Sequence, residues 1–395
     1  MAGTPLEEFT TLMASQGPAW MSGVDSLVNE AVRRRYTQAR IMAGKDMLEY
    51  VQGGDELTDT IYLTEKSTYE RYNPNVRGTY PNVQTGTTMT VPWAFAKATV
   101  SWTKQEVGLN KDTTNAKARA QKYKSLMYQK HQNLWTSVCN GLEDELWATP
   151  NNSEMESATP TGARQPLSIP AIVNEHTSTI PLDVDLTAWT TVQGINVSNE
   201  ANWRNAQQTY TFTSASALGA AGIFAPMSKL LYSVSFDKLP KNPEYSDKYT
   251  SPHVILCSLN GIANYEFALR SNQDEFRGIG KTSGQDPDYN APTFRNVPLS
   301  YIDSLDSADL YTDGSALVDE ESSTVTGPRY YFINGEYLNF VWHSENYCVL
   351  EKPVNLTAVG QHATWVQVVD CWNNLFARSR KRHGILYPSA STTNA

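Results

Sequence analysis

The residues most suggestive of chemistry are Gly278-Ile279-Gly280-Lys281-Thr282, which look like the end of a phosphate-binding loop. In such a loop, glycine-rich backbone amides and a lysine cradle phosphate oxygens, with a strand before and a helix after. Here Glu275 stands where the first glycine is needed, a helix is expected upstream, and Gly284, Asp286 and Pro287 follow. The expected reading is a flexible loop. A phosphate- or nucleotide-binding αβ enzyme using 278–282 is the rival class.

Other constellations fail on spacing. His253 and Cys257 are four apart on an expected strand, which puts them on one face about 13 Å apart, too far to share a zinc ion. His131, His176, His343, His362 and His383 show no H-E-x-x-H or other paired metal spacing and are expected to be satisfied core or surface histidines. Asp183 and Asp185 resemble paired carboxylates, yet nothing places a nucleophile or a second pair beside them. No Gly-x-Ser-x-Gly elbow occurs, and the sequons at Asn151, Asn196 and Asn355 carry little weight without a secretory route. Cys139, Cys257, Cys348 and Cys371 form no C-x-x-C pair and read as reduced, mostly buried thiols of a reducing compartment. No catalytic, cofactor-binding or metal-ligating residue is expected, and the chain is expected not to be an enzyme.

Composition agrees. A chain of 395 residues can bury a sizeable core in two domains or one elaborated domain. Charged residues make up 18%, below the roughly 25% of an average soluble domain, which suits a β-rich protein partly covered by other protein. The 32 Lys and Arg against 41 Asp and Glu leave a formal charge of −9, so no global basic field attracts nucleic acid. The first 20 residues lack a basic n-region and an apolar h-region, and no run of 18 apolar residues occurs. The expectation is a soluble protein without a targeting peptide or membrane span, kept inside a cell or inside something a cell makes.

The elements are organised around residues 113–147, which contain no Pro and one Gly, Gly141. Ala120, Tyr123, Met127, Leu134, Val138, Leu142 and Leu146 recur at offsets of three, four and seven, one stripe down an α-helix. Thr113 or Thr114 caps its start and Pro150 closes its end. Its first half is basic and its last turns carry Glu143, Asp144 and Glu145, the reverse of what the helix dipole prefers. Either the charges form a solvated face, or they meet opposite charges on neighbouring chains.

Before this helix, residues 6–13 and 25–50 read as helices, the second ended by Gly53 and Gly54. The run Arg33-Arg34-Arg35 with Arg40 is either a salt-bridged arm or an inward face near nucleic acid. Residues 59–65 and 87–102 read as strands around a loop at 69–82, the latter pair broken at Pro92, and such a ribbon needs a neighbour to lie on. After the helix, 151–205 reads as loops that decorate a surface or serve a function, with a short strand at 189–197. A second αβ region follows: a helix at 226–239, a buried strand at 253–258, a helix at 261–270 capped by Asn260 with Ala263, Phe267 and Ala268 inward, and a strand at 296–303. An acidic loop spans 304–327, strands at 330–333 and 339–342 are joined through Asn334 and Gly335, and 364–375 alternates as the last strand. The basic run Arg378, Arg380, Lys381 and Arg382 leads into Ile385 and Leu386.

In this order the parts resemble the major capsid proteins of tailed bacteriophages with the Hong Kong 97-type fold. The likeness is carried by Met89-Thr-Val-Pro-Trp93 through Val100-Ser-Trp-Thr-Lys104 to Leu109, by Gly141-Leu-Glu-Asp-Glu-Leu-Trp147, by Asn296-Val-Pro-Leu-Ser-Tyr-Ile302, and by Tyr330-Tyr-Phe-Ile-Asn-Gly-Glu-Tyr-Leu338. The resemblance implies an α+β fold in which 1–57 is an N-terminal arm and 58–104 an extended β-hairpin loop. It implies a peripheral domain from 105–149 and 330–360, with the spine helix 113–147, and an axial domain from 203–329 and 361–388. Residues 150–202 would be a loop-rich insertion and 389–395 a tail. Implied partners are copies of itself in hexamers and pentamers, a scaffolding protein, a portal, a decoration protein, and packaged DNA contacted non-specifically, with no membrane. The implied location is the virion capsid, assembled in the host cytoplasm, and the implied role is an icosahedral shell around a double-stranded DNA genome. An encapsulin-like nanocompartment shell is the near alternative. Either shell needs an arm and a ribbon that single copies leave uncovered.

Overall fold

A computed structural model describes residues 48–63, 71, 86–109, 116–148, 152–156, 163–174, 191–197, 199–211, 222–235, 254–271, 292–295, 297–305, 328–356 and 363–388. The expected helices at 6–13 and 25–47, Arg33 to Arg35, the caps Thr113 and Thr114, Asp183, Asp185, Gly278 to Thr282, His176, His253, His362 and the loop at 306–327 lie outside them.

In chain order the strands begin with β1 (Leu48–Val51), β2 (Glu56–Ile61), β3 (Thr87–Pro92) and β4 (Ala94–Thr103), followed by helices α1 (Lys104–Leu109) and α2 (Ala116–Leu146). Short helices α3 (Asn152–Met155) and α4 (Ile169–Ile172) precede the hairpin of β5 (Thr191–Val192) and β6 (Ile195–Asn196). Then come β7 (Ala206–Tyr210), α5 (Phe224–Val234), β8 (Val254–Cys257), α6 (Leu259–Ser271), β9 (Thr293–Phe294) and β10 (Val297–Tyr301). The chain finishes with β11 (Tyr330–Ile333), β12 (Leu338–His343), β13 (Val349–Leu350), β14 (Val354–Asn355), β15 (Thr364–Ala377) and β16 (Gly384–Pro388).

The described residues fall into two compact units, Thr99–Val138 with Lys352–Gln367 in one, and residues 48–98, Cys139–Glu351 and 368–388 in the other. In the smaller unit, β14 pairs with β15 through Val354 opposite Val366 and Asn355 opposite Trp365. Lys130 Nζ reaches Glu106 Oε2 at 2.7 Å and the Ser101 carbonyl at 2.9 Å. The Thr103 hydroxyl accepts from Glu106 N while Glu106 Oε2 accepts from Thr103 N, a reciprocal box that starts α1.

The larger unit holds a mixed six-stranded sheet in the order β7-β16-β11-β8-β10-β9. Strands β8, β11 and β16 are buried at every position, which is why each reads as a continuous apolar run instead of an alternation. Helix α5 packs on β7 and β16, and α6 on β8 and β10. Met227, Leu230, Ile255, Leu299, Phe332 and Leu386 meet in this core. In the same unit β12 pairs with β1 in parallel and with β15 in antiparallel fashion, and β13 pairs with β15.

Several expectations need correction. Residues 48–50, read as a helix end, are extended as β1, because Leu48 to Val51 pair with Phe340 to His343. Gly53 and Gly54, with φ of 69° and 94°, follow a strand and not a helix, and they turn the chain into β2. On α6 the inward residues are Gly261, Tyr265 and Ala268, whereas Ala263 and Phe267 are exposed. A Cβ on Gly261 would lie 2.9 Å from Cys257 Cβ, so the glycine must face the strand and the helix is rotated accordingly. Its start is held by Ser258, whose Oγ accepts from Gly261 N at 3.2 Å, not by Asn260.

The strands expected at 330–333 and 339–342 form as β11 and β12, joined through Asn334 and Gly335, and they belong to different sheets. Strand β11 sits between β8 and β16, and β15 pairs with β12. Within 150–202 one described stretch lies in the interior. Leu167 to Val173 are all buried, because polar groups from distant segments satisfy their backbone. Leu167 N donates to Asn374 Oδ1 at 2.8 Å and the Ile172 carbonyl accepts from Arg380 at 2.7 Å.

The described base of the ribbon is not bare either. Leu57, Met89 and Val91 are buried, and Thr90 N donates to the Gln193 carbonyl at 3.1 Å. Gln193 and Gly194 take φ of 54° and 75°, the conformation of a two-residue hairpin turn between β5 and β6 that presents that carbonyl. Strand β2 stays exposed apart from Leu57 and the half-buried Ile61.

Candidate functional site

None of the described residues gathers into a group of three or more metal ligands. The described histidines are occupied in packing: His131 meets Gln367 Oε1 at 2.9 Å, and the His343 ring lies edge-on to Trp93 at 5.6 Å. His383 is fully buried, and its Nδ1 accepts from Asn334 N at 3.2 Å. Burial pushes the imidazole down to about 4, so it is neutral at physiological pH.

What the structure brings together is a positioning centre. Arg380, read only as part of a basic run, has no exposed surface. Its Nε donates to the Ile172 carbonyl at 2.7 Å, Nη1 to the Trp203 carbonyl at 3.1 Å, and Nη2 to Asn174 Oδ1 at 2.9 Å and Asn205 Oδ1 at 3.2 Å. Asn205 Nδ2 in turn donates to the Asn174 carbonyl at 2.7 Å. Burial lowers the guanidinium to about 10 and the nearby Glu156 carboxylate opposes that, so Arg380 stays charged. This one side chain ties 172–174 and 203–205 to the turn before β16. The same Glu156 accepts from Gln193 N, which links the centre to the hairpin under the ribbon.

Asn374 extends the linkage. Its Nδ2 donates to the Pro92 carbonyl at 2.6 Å at the break between β3 and β4, while its Oδ1 accepts from Leu167 N. Trp93 Nε1 donates to the Gly54 carbonyl at 2.9 Å, and Asn202 Nδ2 to the Leu63 carbonyl at 2.8 Å. Polar side chains thus anchor the ribbon at both strands.

Large apolar side chains remain in solvent on several elements: Tyr62 (74%), Phe95 (57%), Tyr232 (64%) and Phe267 (64%). Tyr232 is oriented by Arg295, whose Nη1 donates to its hydroxyl at 2.7 Å. The end of α2 is acidic and partly dry: Glu143 is buried, and burial, with Asp144 beside it, lifts the Glu145 carboxyl to about 7. Ser304 Oγ donates to Asp144 Oδ1 at 3.2 Å. The arrangement offers no nucleophile and base in register among the described residues. It offers fixed strands and exposed apolar side chains, the attributes of an interacting surface.

No protein-family model and no curated protein matches the chain in sequence. Solved structures do resemble it in three dimensions. The subunit of the cyanophage A-1(L) capsid matches with a TM-score of 0.55 at 12% identity, over 92% of this chain and 98% of that one. The capsid of Myoviridae phage XM1 matches at 0.46 and 10% identity over 93% and 96% of the two chains. The holo-SrpI encapsulin complex from Synechococcus elongatus matches at 0.41 and 10% identity over 93% and 94%. With its mixed α+β elements and several sheets, this chain has the fold of a phage capsid subunit.

Proposed function

We propose that this chain is the major capsid protein of a tailed bacteriophage. Copies of it assemble as hexamers and pentamers into an icosahedral shell around double-stranded DNA. The observation that carries this reading is the correspondence with the cyanophage A-1(L) capsid subunit, which spans nearly the whole of both chains at a TM-score of 0.55. The exposed Tyr62, Phe95, Tyr232 and Phe267 support it, since obligate assemblies keep apolar surface for their neighbours.

On this reading the chain is a structural protein, and its parts take the roles of the Hong Kong 97-type fold. Residues 1–57 are the arm, 58–104 are the extended loop, and 105–149 with 330–360 are the peripheral domain, of which α2 is the spine. Residues 203–329 with 361–388, which include α5 and α6, are the axial domain around the symmetry axes. The formal charge of −9 fits a container whose wall must let DNA pack and leave. A scaffolding protein, a portal and a decoration protein are its further partners. Assembly takes place in the host cytoplasm.

The test is the content of particles that carry this chain, isolated from producing cells. The proposal predicts double-stranded DNA that resists nuclease until the shell is opened. Shells holding a cargo protein and no DNA would overturn the phage assignment in favour of a nanocompartment. Nucleotide binding by the unassembled chain, lost in Lys281→Ala, would favour the enzyme class.

A further inference from the structure

Two of the four cysteines, Cys348 and Cys371, are far apart in sequence and meet in space. Cys371 Sγ lies 2.9 Å from Cys348 Sγ and donates a hydrogen bond to it. The fold explains why they meet. Val349 stands opposite Asp370 and Leu350 opposite Val369, and Cys348 and Cys371 are the residues just past the end of that two-pair ladder. Closing a disulfide between them needs the sulfurs to move from 2.9 Å to about 2.05 Å.

Cys348 is also held at φ 46°, a left-handed conformation that glycine adopts at lower cost. A thiol is thus kept at a position where the backbone favours no side chain. It is partly open to solvent, whereas Cys371 is buried. We infer that Cys348 and Cys371 are a thiol pair that closes to an intrachain disulfide, stapling β13 to β15, by exchange with a low-molecular-weight disulfide.

The steps balance with that co-reactant. The Cys348 thiolate attacks one sulfur of the small disulfide, forming a mixed disulfide and expelling one small thiolate. Cys371, once deprotonated, attacks the Cys348 sulfur and expels the second. Two protein thiols are oxidised, the small disulfide is reduced to two thiols, and the two protein protons end on the departing thiolates. The electrostatics suit this order. The hydrogen bond donated by Cys371 lowers the Cys348 thiol although burial opposes it, and the same bond, with burial, raises Cys371.

The staple would fix the turn between β12 and β13. There Tyr347 packs edge-on against Trp342 at 4.5 Å and Tyr50 at 5.5 Å, on the outer strand of the sheet. A link within one chain forms in a single copy and in an assembly alike, so its failure leaves the shell reading untouched.

The test is to equilibrate the native full-length protein with graded mixtures of reduced glutathione and glutathione disulfide. Free thiols are then trapped with iodoacetamide, and peptides are mapped by mass spectrometry without reduction. The expected result is a 348–371 linked peptide with loss of two of the four thiols, unchanged in Cys139→Ser and abolished in Cys371→Ser. Alkylation of both cysteines across the whole redox range would overturn the proposal. So would stable glutathionylation of Cys348, or pairing of either residue with Cys139 or with another chain. Because wild-type protein carries the main readout, a variant that fails to fold does not shield the proposal.

Discussion

Replacing Arg380 tests the positioning centre most sharply. Arg380→Met keeps most of the side-chain length and removes the charge, leaving the carbonyls of Ile172 and Trp203 without a donor in sites that have no exposed surface. Each buried acceptor left unpaired costs about 1–3 kcal/mol. Asn174 is partly exposed and Asn205 bonds elsewhere, so their side chains recover much of what they lose. The expected loss is about 2–6 kcal/mol, a large part of the roughly 5–15 kcal/mol that holds a typical domain folded. Arg380→Lys keeps the charge but cannot span four acceptors in the planar fork of a guanidinium, and roughly half that loss is expected. The assay is urea unfolding followed by tryptophan fluorescence, with wild type and variants in the same assembly state. The unfolding midpoint converts to free energy through the slope. If Arg380→Met unfolds within about 0.5 kcal/mol of wild type, the spread of an ordinary surface substitution, the centre does not hold the 163–174 segment.

Two buried groups predict opposite pH effects. Glu145 has a folded value of about 7 against an ordinary 4.5, so the folded state binds the proton more tightly and stability falls as pH rises from 4.5 to 7, by about 3 kcal/mol. Glu145→Gln should therefore be more stable than wild type at pH 8 and nearly equal to it at pH 4, as pH-resolved unfolding midpoints would reveal. His383, at about 4 folded against an ordinary 6.5, takes up its proton more readily when unfolded, so stability falls as pH drops from 6.5 to 4, by about 3 kcal/mol. His383→Gln should flatten that acid limb; an unchanged limb would assign the acid sensitivity to other groups. Gly261→Ala forces a Cβ to within 2.9 Å of Cys257 Cβ, and the overpacking should outweigh the gain in helix propensity by about 1–2 kcal/mol in thermal or chemical unfolding. A neutral or stabilised variant would mean that α6 moves off β8 freely.

Much of the frame was legible because it follows short-range periodicity. Leu134, Val138, Leu142 and Leu146 are buried along α2 as their spacing demands. Gln367, Val369 and Cys371 alternate inward along β15, and the chain does break between β3 and β4 next to Pro92. What escaped depends on partners far away in sequence. Leu167 to Val173 show no period and include Pro170, so they read as loop; their burial is decided by Arg380 and Asn374, two hundred residues on. Arg380 stood in the sequence only as part of a basic run, and the acceptors at 172–174 and 203–205 are what make its fully buried guanidinium tolerable. Cys348 and Cys371 meet beside the ladder of β13 and β15, a contact that no spacing rule encodes. The rotation of α6 carried a local signal in Gly261, which is small enough to face a strand closely.

A shell subunit must associate with its own copies, and the mass of the chain in solution addresses that most directly. Sedimentation velocity of the purified 395-residue protein should show a fast, homogeneous species of many subunits, and electron micrographs of that fraction should show closed shells. A stable single-chain species across the concentration range, with or without an added scaffolding protein, would contradict the account.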